Sequence, residues 1–239
     1  MAKMNRETFI KSVKELGIEI NDDILHKLDV YCKFLVEYNE HTNLTAIKNE
    51  QDIYLKHFYD SLTICRVINL NEIESLMDIG TGAGFPGMVL KIFFPKLNVI
   101  LVDSNNKKTK FLMELKEKLN VDKIEVINNR VENLLSRFIN SIDVVTARAV
   151  TNLPVLTELA TPFVKKDGYF IAMKGNAEEE LANSKDAIDI LGCKIESIDT
   201  FNLENDNGKR TLIKIKKIQE TSIKDVRSYD KIIKKPLRK

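Results

Sequence analysis

The chain has no tryptophan, only three cysteines and three histidines, and almost no net charge across its 239 residues. Cys32, Cys65 and Cys193 lie far apart and never at C-x-x-C spacing, so neither a disulfide framework nor a zinc site is expected. They read as reduced, half-buried thiols. His26, His41 and His57 also lack metal-ligand spacing, and no metal is expected. No apolar run approaches the ~18 residues of a membrane span, and Met1 to Arg6 leads into a helical pattern rather than an apolar leader core. A cytoplasmic protein without membrane attachment is expected, and a monomer. The formal charge of +2 is too small to announce a nucleic-acid partner by itself. Only the end of the chain concentrates charge: from Lys224 to Lys239 there are seven Lys or Arg against two Asp. Such a stretch reads either as a phosphate-contacting arm or as a solvated terminus. Repeats and low-complexity segments are missing too. What is present, 44% hydrophobic and 30% charged residues, suffices for one full α/β core with a small accessory region.

Glycine is sparse, nine in all, which gives weight to the stretch Leu76-Met77-Asp78-Ile79-Gly80-Thr81-Gly82-Ala83-Gly84-Phe85-Pro86-Gly87. It reads as a buried strand entering a glycine-rich turn and then a helix. Glycines at alternate positions remove the Cβ atoms that would hold a ligand off the backbone, and Pro86 suits a first helical turn. A second apolar run, Asn98-Val99-Ile100-Leu101-Val102-Asp103, ends in a carboxylate about 20 residues on, where such folds bind ribose hydroxyls. A nucleotide-like cofactor is expected between the two strand ends. Gly82, Gly84 and Gly87 match a loose dinucleotide pattern, but Asp78 at the mouth of the first strand would repel a pyrophosphate. S-adenosylmethionine carries an ammonium and a sulfonium instead, and both gain from a nearby carboxylate. In this reading the Gly80 backbone approaches the methionine part of the cofactor, Phe85 flanks the pocket, and Asp103 accepts hydrogen bonds from the ribose hydroxyls.

Residues up to about 70 read as helices, with Phe9, Val13 and Leu16 and then Ile24, Leu28, Tyr31, Leu35 and Tyr38 at helical spacing and Asn21 as a candidate cap. Strands are expected at 75–79, 98–103, 123–128, 143–147 and 168–173, separated by helical patterns such as Lys107 to Leu119 and Glu178 to Leu191. Lys194 to Phe201 and Thr211 to Ile218 are joined by Asn205-Asp206-Asn207-Gly208, too short a link for a crossover helix, so these two should pair antiparallel. The expected fold is α/β: an N-terminal helical region (1–72), a mostly parallel, Rossmann-like sheet with an antiparallel last strand (73–218) and a basic tail (219–239). A reversed last strand resembles class I methyltransferases.

Taken in order, Asp78 to Gly87, Val102-Asp103-Ser104 with Lys107, Arg130-Val131-Glu132 and Thr146-Ala147-Arg148-Ala149 resemble the bacterial 16S rRNA guanine-N7 methyltransferases of the glucose-inhibited division protein B family. Upstream Asn39, Asn43-Leu44-Thr45-Ala46 and His57-Phe58-Tyr59-Asp60-Ser61-Leu62 also match, as do Lys174-Gly175 and Arg210 downstream. The resemblance spans nearly the whole chain and departs at Tyr229 to Leu237, where the family often carries a proline- and arginine-rich stretch. It implies methyl transfer from S-adenosylmethionine to N7 of one guanine in the decoding-region loop of 16S rRNA, in the free RNA or the small ribosomal subunit. It also implies cofactor contacts at Val131, Glu132 and Arg148, although a carboxylate at Glu132 would equally suit a helix start. Residues 57–60 would line the pocket entrance. N7 has a lone pair and no proton, so no general base is needed and no catalytic residue is assigned. A cation close to N7 would oppose the charge arriving there, so Lys107, Lys174 and Arg210 are assigned to phosphates or the guanine O6. A dinucleotide-dependent oxidoreductase and a non-catalytic ribosome-binding module are the rival readings.

Overall fold

The computed structural model describes residues 4–47, 49–203 and 208–237. Two helices open the chain, α1 (Arg6–Glu15) and α2 (Asp22–Thr42), each started by an asparagine whose side chain accepts a backbone N–H, Asn5 from Thr8 and Asn21 from Ile24. A third helical run follows in short pieces: α3 (Glu50–Ile53), a π-helical turn (Tyr54–Tyr59), α4 (Asp60–Leu62) and a 3-10 turn (Thr63–Arg66). Then strands and helices alternate: β1 (Ser75–Ile79), α5 (Gly87–Phe93), β2 (Asn98–Asp103), α6 (Asn106–Leu119), β3 (Ile124–Asn128), α7 (Leu135–Phe138), β4 (Ile142–Arg148), α8 (Leu153–Ala160), β5 (Val164–Lys174) and α9 (Glu178–Ile190). A hairpin, β6 (Cys193–Asn202) and β7 (Lys209–Lys217), and the short α10 (Tyr229–Lys234) complete the chain.

Among the described residues seven strands form one sheet in the order β3-β2-β1-β4-β5-β7-β6. Strands β1 to β5 pair in parallel, and β7 runs antiparallel to both β5 and β6. This is the expected α/β sheet with its reversed last strand. A doubly wound dinucleotide sheet would continue in parallel at this edge. Residues 205–207 of the expected hairpin link lie outside the described residues.

Period-two alternation divides the sheet between two apolar layers. Leu76, Leu101 and Val144 join α1, α2, α5 and α6 on one face. Met77, Ile79, Val145 and Ala147 join α8, Ile188 of α9 and Ile232 of α10 on the other. Apolar packing on the first face runs without a break from Phe9 and Leu28 to Leu101 and Phe111. The cysteines are free, Cys32 and Cys193 buried and Cys65 half-buried. No helix among the described residues is long and apolar enough to cross a membrane.

Candidate functional site

The carboxyl ends of β1, β2, β3 and β4 open onto a cleft of about 350 Å³ whose lining includes Gly80, Asp103, Val131, Glu132, Val150 and Tyr229. Gly80 is held at φ +68°, and its N–H donates to the Val102 carbonyl at 2.8 Å. A Cβ added there would meet Val150 Cγ2 at 2.6 Å, so the β4–α8 loop rests directly on the glycine backbone. One Asp103 oxygen accepts the Gly82 N–H and the other the Asn105 N–H, both at 2.9 Å. Each oxygen has accepted one donor, and further lone pairs are left for a ligand's hydroxyls. Lys108 Nζ stands 3.7 Å away. An acceptor carboxylate, a floor of bare backbone at Gly80 and apolar walls from Ile79, Val131 and Leu159 fit the adenosine part of S-adenosylmethionine.

One expectation changes here. Asp78 does not face the cleft: the alternation that sends Met77 and Ile79 to one layer sends Asp78 to the other. Fully buried, it accepts the Thr81 hydroxyl at 2.6 Å and the Gly87 N–H at 2.8 Å through one oxygen. It organises the glycine turn and the start of α5, and no longer argues by its charge for a cationic ligand. Phe85, expected to flank the cofactor pocket, does not line this cleft and lies beside the adjoining one described below. Its ring lies between Tyr31, stacked at 5.4 Å, and His57, stacked at 4.2 Å. The Tyr31 hydroxyl donates to the Ala83 carbonyl, which brings it against the turn. Gly84, at φ +101°, leaves room for it: a Cβ would lie 2.6 Å from that hydroxyl.

On the far side of the same β4–α8 loop a second cleft, about 400 Å³, is lined by His57, Asp60, Arg148, Lys174, Glu180 and Arg210 among others. Arg148, the last residue of β4, donates to the Lys56 carbonyl and to Asp60, each at 2.9 Å. The other Asp60 oxygen receives Arg210 Nε at 2.8 Å. Asp60, 4% exposed, therefore joins two guanidinium groups. Arg148 Nη2 stands 3.0 Å from His57 Nδ1, and His57 Nε2 stands 2.9 Å from the Thr45 hydroxyl. A guanidinium can only donate, so Nδ1 accepts and the proton resides on Nε2. Burial first, and then the Arg148 charge, push the imidazole down to about 3, so His57 is neutral here. Lys174 donates to the Thr151 carbonyl at 2.6 Å and pairs with Glu180 at 2.8 Å. The same Glu180 oxygen accepts the Leu153 N–H at 2.6 Å, so this pair pins the loop between the clefts where it enters α8.

The structure thus gathers Gly80, Asp103, Val131 and Glu132 around the first cleft and Arg148, Lys174 and Arg210 around the second. Arg148 and Phe85 were expected at the cofactor; Arg148 lies in the second cleft, and Phe85 in the aromatic stack beside it. Lys107 is exposed on the first turn of α6 and lines neither cleft, while its neighbour Lys108 does. Sequence reasoning missed Tyr229, Glu180 and Lys108, and Asp60 entered only as part of a segment. A signal existed for Lys108, one residue from the position chosen. For Asp60 the signal was the family-like segment 57–62; none existed for Tyr229 and Glu180.

A family model described as rRNA small subunit methyltransferase G matches residues 24–221. The relatives include the Ribosomal RNA small subunit methyltransferase G of Acetivibrio thermocellus, 45% identical over 97% of this chain and 96% of that protein. The protein of the same name from Staphylococcus carnosus is 43% identical over 99% of this chain and 100% of its own length. Among solved structures, a SAM dependent methyltransferase from Aquifex aeolicus has the same fold, with a TM-score of 0.54 at 19% identity, covering 73% of this chain and 97% of that one.

Proposed function

The chain belongs to the rRNA small subunit methyltransferase G family, and from that premise we propose that it methylates N7 of one guanine in the decoding-region loop of 16S rRNA. The observation that carries this reading is the pair of clefts on either side of the β4–α8 loop. One suits an adenosine, with Asp103 for the ribose and Val131 and Glu132 beside the base. The other is lined by cations held in place by carboxylates, and suits a purine with its flanking phosphates.

S-adenosylmethionine, when bound, supplies a methyl group made electrophilic by its sulfonium. The protein's task is then to hold nucleophile and donor in line and exclude competing geometry. N7 attacks with its own lone pair, so no side chain has to remove a proton, and the neutral His57 is not required as a base. Positive charge moves onto the purine during transfer. Asp60 between Arg148 and Arg210, and Glu180 against Lys174, temper the cationic cleft where that charge arrives. An unstacked base is needed to enter such a cleft, which favours a single-stranded rRNA loop over a duplex.

The division at 72/73 and 218/219 takes on a functional sense in this reading, since the helical region supplies His57 and Asp60 to the substrate side. It also implies work in the cytoplasm, on free 16S rRNA or the small subunit, by a monomer. The test is transfer of labelled methyl from S-adenosylmethionine to small subunits lacking the modification, followed by nucleoside analysis. The expected product is 7-methylguanosine at one position, lost on replacing Asp103 by Ala. Tight cofactor binding with no transfer to either form of 16S rRNA would overturn the substrate assignment.

A further inference from the structure

The basic C-terminal stretch was expected to reach for RNA phosphates or to lie free in solvent. Up to residue 237 it is docked on the sheet domain rather than free in solvent. Arg227 makes a two-point ion pair with Glu158 of α8, whose side chain is 4% exposed. Arg227 Nη1 also donates to the Lys235 carbonyl at 2.9 Å, closing the segment on itself. Between these anchors α10 buries Ile232 to 1% exposure in the same apolar layer as Leu156 and Leu159 of α8. A segment held by a buried carboxylate and a buried isoleucine has one defined position on the sheet domain.

That position brings Tyr229, the first residue of α10, to the rim of the first cleft, in the same lining as Asp103, Val131 and Glu132. The Arg130 guanidinium lies over its ring, 5.1 Å from the centroid, and Arg130 directly precedes Val131. Tyr229 and Arg130 thus stand together in the cleft lining beside Val131 and Glu132, on the side where an adenine would lie once Asp103 holds the ribose. An aromatic ring with a guanidinium beside it offers planar groups on which a purine can stack.

We infer that Tyr229 is a cofactor-site residue: its ring forms one wall of the adenine pocket, and the tail serves to hold it there. This rests on the methyl-donor reading of the first cleft. The purpose of the Arg227–Glu158 pair and of buried Ile232 is then to fix the wall, and the positive charge of the segment as far as residue 237 is secondary to that.

The test is calorimetric titration of S-adenosylhomocysteine into the full chain, alongside filter binding of a 16S rRNA fragment. Tyr229→Ala should weaken the cofactor product by about tenfold, an amount in keeping with loss of one base–aromatic stack. Tyr229→Phe should stay within about twofold of the parent, since the ring and not the hydroxyl makes the contact. Ile232→Asp changes no residue lining the cleft yet should undock α10 and give the same loss as Tyr229→Ala. RNA affinity should be unchanged in all three. Unaltered affinity for S-adenosylhomocysteine in both Tyr229→Ala and Ile232→Asp would overturn the inference and leave the methyl-donor reading standing, as would a loss confined to RNA binding. Failure of the unaltered chain to bind S-adenosylhomocysteine would overturn both.

Discussion

Burial acts on two polar side chains near the turn in ways that can be separated by pH. Dehydration pushes the Asp78 carboxyl up to about 7, against the opposing pull of the Thr81 hydroxyl, the Gly87 N–H and the Arg148 charge. With its folded pKa above the unfolded value, its favourable contribution is complete below about pH 4 and is lost as pH rises through 7. Asp78→Asn keeps an acceptor for both donors and removes the ionisation, so urea unfolding of that variant should show a smaller drop in stability between pH 6 and 8. Asp78→Ala, which abandons two buried donors, should cost about 2–3 kcal/mol at pH 6. His57 has the opposite sign. Its folded pKa of about 3 lies below the unfolded ~6.5, so stability is complete above that value and falls as pH drops toward 3, by at most about 1.4 kcal/mol per unit. His57→Gln should flatten the slope between pH 6 and 4 in the same measurement. An unchanged slope would mean that another group takes up the proton.

At the scale of elements, Asp60 is a buried ionic tie between the helical region and the sheet. It follows the π-helical turn directly and reaches one arginine at the end of β4 and another in β7. Removing one partner of a buried ion pair strands the others, so Asp60→Ala should cost about 3 kcal/mol and lower Tm by roughly 6–12 °C in calorimetry. The elements were far more legible in the sequence than this tie. β1 and β2 lie where their apolar runs predicted, because a buried strand bounded by a turn or an acid is a local pattern. The start of α6 differs from expectation by one residue, because Asn105 caps it locally. Asp60 is 88 residues from Arg148 and 150 from Arg210, and no local periodicity encodes such a meeting. The same holds for Phe85 against His57 and for Tyr229 at the cleft. The reversal of Asp78 is the exception. It could have been read from the alternation of β1, had the apolar neighbours Met77 and Ile79 been assigned to one face first.

Over the whole molecule the formal charge is only +2, so attraction to RNA depends on where cations stand unengaged. Arg148, Lys174 and Arg210 are all tied to carboxylates, which limits how many phosphates they can neutralise. Few released counterions mean a shallow salt dependence, about −0.7 in log–log slope for each phosphate contacted on a single strand. Lys107, exposed at the start of α6, is the candidate to supply one such contact. Lys107→Ala should reduce the slope measured by filter binding by about that amount and leave affinity for S-adenosylhomocysteine unchanged. An unaltered slope would remove Lys107 from the RNA interface.

The strip of chain from Arg148 to Thr151 borders both clefts, with the Arg148 side chain in one and Val150 pressed on Gly80 in the other. Two ligands that share a wall cannot bind independently if either shifts it. By thermodynamic reciprocity, whatever factor the methyl donor exerts on rRNA affinity, rRNA must exert on donor affinity. With Lys174 and Glu180 clamping that strip, the magnitude of the linkage is set by how far the clamp yields. Weakening it should let either ligand shift the strip further and so enlarge the linkage, even where each affinity alone changes little.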